Sequence, residues 1–200
     1  MASEVDIANL ALANLGDRAT VASLDPPEGS AQAEHCARFY PIARDMLLEL
    51  HPWSFATRRV TLAQLVDVPP NWLYAYALPA DCIRVYAVTA QESTGDKGEN
   101  FAIGLNDVGQ RVLYSDTAGA IARYTARITD TTLFSPLFVT TVTWKLSALL
   151  AGAILKGDAG AAQARSCEQM MAAYLGQARV SDSNQRQTPT THTPAWIGGR

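Results

Sequence analysis

Two prolines divide this chain by rhythm. Before His51-Pro52 and after Ser135-Pro136, apolar residues recur every three or four positions. Between those points they fall in short runs rich in Val, Ile, Tyr and Thr, separated by Pro, Gly, Asn or Asp. Residues three or four apart share a helix face, whereas alternate residues share a strand face, so one segment cannot satisfy both patterns. The chain is therefore expected to fold as helices, then strands, then helices. That segregation predicts an α+β protein: a helical bundle with a small antiparallel β-sheet insertion and an extended C-terminal arm.

Local signals place the elements. Ser3 with Asp6 three residues later forms a capping pair, and Ile7, Ala8, Ala11, Leu12 and Leu15 repeat on one face until Gly16, predicting a helix over 3–16. After the turn "LDPPEGS", Ser30 opens a helix over 30–51 whose apolar positions Cys36, Tyr40, Ala43, Leu47 and Leu50 share a face. Pro41 removes a donor inside that helix and is expected to bend or divide it. The strand-like runs predict a β insertion over about 54–129, with "LNDVGQRV" as a hairpin loop and "QESTGDKGEN", Gln91–Asn100, as a mobile polar loop. The insertion is expected to supply lateral or tailward surface on a rigid helical body.

Ser135 at a cap and Pro136 in the first turn start a helix over 135–156. Asp158 is expected to cap the last helix, 159–179, whose apolar residues Ala164, Cys167, Met171, Tyr174 and Leu175 lie on one side. The body then spans 1–179, and 180–200 is a flexible arm. The apolar run Leu137–Leu155 has nearly the length of a membrane span, but Lys145 falls at its centre and threonines dilute it. It reads as a buried core helix, so no membrane partner is expected.

Charge and motif narrow the function. Lys and Arg total 16 against 19 Asp and Glu, a net −3, which argues against a protein that coats nucleic acid through clustered positive charge. Cys36, Cys82 and Cys167 lie far apart with no CxxC, as expected for buried thiols in a reducing compartment. The opening residues lack a basic region followed by an apolar run, so no secretory signal is expected. There is no GxSxG elbow, no phosphate-cradling Gly-Lys-Ser/Thr loop and no metal-ligand spacing among His35, His51, His192 and the cysteines. His35 reads as a solvated helix residue and His51 as a C-terminal helix cap. Trp72, Tyr74 and Tyr76 alternate as base-stacking aromatics would, but without flanking Lys or Arg they read as a packed face. Neither catalysis nor a metal nor a cofactor is expected. Two alternatives stay open: a virion-carried cell-wall glycosidase using Glu49 and Asp45 as its carboxylates, and a cytoplasmic helical binding module.

"YPIARDMLLELHPWSFA", a helix running into an aromatic junction, is followed by "R-x-x-x-L", an aromatic strand and then "LPADCIRV". This arrangement resembles the tail tubular protein A and head-to-tail adaptor family of tailed phages, and "IANLALANLGDRATVASLD" looks like that family's first helix. The likeness spans Ile7–Val88. It implies a structural virion protein of the phage neck, made in the host cytoplasm. Copies would form a ring, a dodecamer matching the portal, that docks under the portal protein. The ring would extend the channel through which double-stranded DNA passes without sequence-specific binding, and carry the tail or nozzle protein. Within that picture Trp53 and Phe55 are expected to pack the bundle against the insertion, and Pro79 to fix the turn before the next strand. The last residues, "PAWIGGR", put an aromatic-aliphatic pair in a segment with too little apolar surface to fold alone. Pro194, Trp196, Ile197 and Arg200 therefore read as a portal-binding arm, in line with the C-terminal arm the resemblance implies.

Overall fold

Helix α3, Pro136–Ile154, lies at the centre of the bundle and contacts each of its other helices, α1 (Glu4–Asn14), α2 (Ala31–Leu50) and α4 (Gly157–Ser183). The computed structural model describes residues 2–90 and 98–185. Ser135 starts α3 by accepting the Phe138 amide at 3.2 Å. Neighbours on several sides explain why this helix is apolar nearly all round, with Phe138, Val142, Leu146 and Leu150 fully buried. By length and composition alone it could cross a membrane, but protein covers it here. Lys145, only 9% exposed, is paired to Glu168 of α4. Ser147 ties α3 to α1: its hydroxyl donates to the Ala11 carbonyl at 3.1 Å and accepts from Asn14 Nδ2 at 3.2 Å.

The capping pair at α1 forms as the spacing predicts. The Asp6 amide donates to Ser3 Oγ at 3.1 Å, and the Ser3 amide donates to Asp6 Oδ2 at 2.8 Å. The Ser3 amide and, after it, the Ser3 hydroxyl both donate to Asp6 Oδ2 and hold the Asp6 carboxyl below its ordinary range. Asn9 clamps the strand-like segment that follows, donating to the Val21 carbonyl at 3.0 Å and accepting its amide at 2.7 Å. Pro41 does not divide α2, which runs unbroken from Ala31 to Leu50. Pro41 is exposed, so water can serve the carbonyl that it leaves without a donor. Leu50 departs from its expected face: it is exposed, and Leu48 takes the buried position.

The insertion contains two sheets where the sequence suggested one. Strands β1 (Thr57–Thr61), β4 (Cys82–Thr89) and β7 (Ile121–Ala126) form an antiparallel sheet in the order β1-β7-β4. Strands β2 (Ala63–Leu65), β3 (Tyr74–Ala77), β5 (Phe101–Leu105) and β6 (Arg111–Ser115) form the other, in the order β2-β3-β6-β5. A single residue, Leu62, separates β1 from β2; its amide donates to Ala120 at 2.9 Å as the chain passes between sheets. Alternation counts strands but does not tell which edges pair, and that is why the split was not legible. The β5–β6 hairpin is as expected, with Gly109 at φ 78° and the Gln110 amide donating to Asn106 Oδ1 at 2.8 Å.

Helix α4 differs from expectation at both ends. It begins at Gly157, with Lys156 at the N-cap position and no side-chain cap, so Asp158 acts through its charge in the first turn and not as the cap. It continues to Ser183, so the first residues of the segment assigned to the arm from Val180 are helical. Gly160 is set against α3, and a Cβ there would stand 2.9 Å from the Ala151 carbonyl oxygen. Gly160→Ala gains roughly 1 kcal/mol in helix propensity, but pushing two packed backbones apart costs about 1–3 kcal/mol. The expected result is a lower urea midpoint with an unchanged slope.

Candidate functional site

The last turn of a helix leaves carbonyls without intrahelical donors, and α2 shows what this chain does with them. Trp53 Nε1 donates to the Leu47 carbonyl at 2.8 Å, Arg84 Nη1 to Glu49 at 3.3 Å, and Arg179 Nη2 to Leu50 at 2.9 Å. Indole, β4 and α4 thus converge on one helix end, and the two arginines suit its negative dipole. Fully buried Trp53 meets Phe138 edge-on at 4.9 Å. Phe55 lies 5.1 Å from Phe138 and 5.6 Å from Phe134. These rings join the start of the insertion to α3. Pro79 closes the turn before β4, where its carbonyl accepts the Cys82 amide at 3.0 Å.

His51 sits at the C-cap of α2, but its imidazole turns to Asp182 of α4, with Nε2 3.2 Å from Oδ2. The same carboxylate accepts the Ser54 amide at 3.0 Å and the Ser54 hydroxyl at 2.6 Å. Asp182 is a residue that the sequence reading missed. It fell in the segment taken for a flexible arm, and a lone aspartate among Ser and Asn carries no pattern.

The two sequence blocks that carry the family resemblance face each other across a groove between α2 and β4, about 400 Å³ in volume. Pro41, Ile42 and Met46 form one side, Ile83 and Arg111 the other. Ile42, Met46 and Leu50 follow one another by a helical turn and are 48%, 44% and 47% exposed, an uncovered apolar stripe. Arg111 donates to the Cys82 and Ile83 carbonyls at 3.0 and 3.4 Å. A second apolar surface, at the end of the four-stranded sheet, exposes Val66, Leu105 and Val108 around a cavity of about 560 Å³ with Asp67 and Asp107.

Of the two carboxylates considered for catalysis, Asp45 is engaged by arginines. Asp45 Oδ1 is held by Arg44 and Oδ2 by Arg127, each at 2.9 Å. Both oxygens of that carboxylate therefore face guanidinium groups, and Glu49 is exposed. All three cysteines are buried and unbridged. Burial pushes each thiol upward, Cys36 to about 11 with Asp17 adding to the effect, so none is a ready thiolate. His35 is half-buried and stacks on Phe39 with centroids 6.4 Å apart. The Tyr76 hydroxyl donates to the Thr117 carbonyl at 2.6 Å, and the Tyr74 ring lies 6.2 Å from the Tyr76 ring on the same strand. Among the described residues, no group of three or more His, Cys, Asp or Glu is placed to hold a metal ion. Pro194, Trp196, Ile197 and Arg200, and residues 91–97 of the polar loop, lie outside the described residues. No protein-family model matches the chain, and no curated protein matches it.

Proposed function

We propose that the protein is a structural head-to-tail adaptor of a tailed phage. In this reading copies form a ring beneath the portal, a dodecamer matching it, that continues the DNA channel and seats the tail or nozzle protein. The observation that carries the proposal is the pair of sequence blocks "YPIARDMLLELHPWSFA" and "LPADCIRV", separated in sequence by β1, β2 and β3 yet opposed across the α2–β4 groove. The apolar stripe beside that groove supports it, because a chain that works in contact with other proteins needs such uncovered surface. A net charge of −3 suits a channel through which DNA must slide, since every tight phosphate contact would slow passage.

Cryo-electron microscopy of virions carrying this protein tests the reading directly. Ring-shaped density of this chain under the portal is the expected result; its absence there overturns the proposal. The arm is tested separately by deleting Pro194–Arg200 or making Trp196→Ala. An aromatic anchor of this kind contributes about 2 kcal/mol or more, so attachment to portal-bearing heads should weaken roughly 30-fold. Unchanged attachment and DNA retention would remove the arm from the mechanism while leaving the ring standing.

A further inference from the structure

The groove between α2 and β4 is open where burial would stabilise it. Ile42 and Met46 line it, and with Leu50 they form the apolar stripe that stays nearly half exposed. The groove has room for more than one side chain. Past Arg111 it continues into a second hollow of about 430 Å³ bounded by Leu78, Pro79 and Val112, since Cys82 and Arg111 line both.

The end of α4 delivers the chain to this surface. Arg179 Nη2 donates to the Leu50 carbonyl at 2.9 Å, and Gln185, the last described residue, accepts from the Ser54 hydroxyl at 3.3 Å. These bonds fix the exit of α4 beside the Leu50 end of the stripe. Met46 and Ile42 lie one and two turns further along α2, so the stripe is roughly 12 Å long. Trp196 follows Gln185 by eleven residues, a length of chain that can span up to about 36 Å. The segment is long enough to bring Trp196 and Ile197 onto the stripe of its own molecule with slack for a turn. Charge allows it as well. Arg111 is engaged with two β4 carbonyls and Arg127 with Asp45, while Glu49 is exposed on the α2 rim. Residues 186–200 carry Arg186 and Arg200 and no acid to oppose Glu49.

We infer that residues 186–200 fold back on their own molecule and seat Trp196 in the α2–β4 groove, between Met46 and Ile83. A thioether is a favourable neighbour for an aromatic ring, and Gly198 and Gly199 let the backbone that follows lie close to the surface. Tethering selects this occupant over a second copy. A linker of this length holds Trp196 at an effective concentration of about 1 mM, so at about 10 μM protein the same segment of another molecule is outcompeted roughly a hundredfold. The inference does not rest on the adaptor reading, and no portal enters its test. Where both hold, groove and portal compete for Trp196, and the arm leaves one to reach the other.

The test is nuclear magnetic resonance on the full chain with labelled methionine methyl and tryptophan indole groups. Direct contacts between the Trp196 indole and the Met46 methyl group are expected, with intensities that persist on tenfold dilution. Trp196→Ala should shift the Met46 and Ile42 methyl signals. A synthetic peptide of residues 188–200 should bind the Trp196→Ala chain and bind the unaltered chain roughly tenfold or more weakly, because the tethered segment already fills the groove. Met46→Glu, at a half-exposed position, should abolish peptide binding in the Trp196→Ala background while leaving Tm nearly unchanged. Absence of the indole–methyl contacts, or equal peptide binding by both chains, would overturn the inference. Contacts found only between differently labelled molecules would assign the groove to a second copy and overturn it too. A peptide that fails to bind the Trp196→Ala chain would overturn it and leave the groove to a different protein.

Discussion

Trp53→Ala is expected to be among the most damaging single substitutions in the chain, with a loss of roughly 3–5 kcal/mol. The indole is fully buried, packs edge-on against Phe138, and supplies the donor for the Leu47 carbonyl. Alanine would leave a cavity where three elements meet and strand that carbonyl. For a chain of this size the Tm should fall by roughly 10 °C or more. Trp53→Phe separates the contributions: most of the ring packing stays and only the N–H is lost, so the cost should be about 1–2 kcal/mol. Calorimetry or urea titration of both variants reads the difference. A loss below about 1 kcal/mol for alanine would mean that the site collapses to fill the gap, contrary to the close packing described.

Asp182→Ala should cost roughly 3 kcal/mol, because it removes an acceptor that serves an amide, a hydroxyl and an imidazole in a nearly buried position. The effect should also be local. Amides in the last turns of α4, about Leu175–Ser183, should exchange faster, and those in α1 should not. Asp182→Asn keeps one acceptor oxygen but sets an amide group against the Ser54 donors, so it should fall between the two. Unchanged exchange in α4 would show that Asp182 does not hold the helix end.

How much of this was legible follows from what each signal measures. Helix starts at Ser3, Ser30 and Ser135 were readable because a cap is a local event, settled within four residues. The order of helices and strands followed from the change of period. Which strands pair did not, since the switch between sheets turns on the single residue Leu62 and on contacts sixty positions away. Trp53 and Phe55 announced themselves as large apolar residues next to a helix-ending proline. Asp182, Arg84 and Arg179 did not, because polar side chains that serve distant carbonyls leave no periodic trace.

The clasp at Asp182 has a mechanical consequence. Any tension applied to the chain beyond Gln185 enters the folded body at the end of α4. Just inside Gln185, which accepts from the Ser54 hydroxyl at 3.3 Å, it meets the carboxylate bound to His51 and Ser54, which flank the buried indole at the hinge between bundle and sheets. Pulling on the tail therefore loads a joint bridged by several hydrogen bonds across the chain, and α4 resists being peeled away from its free end turn by turn.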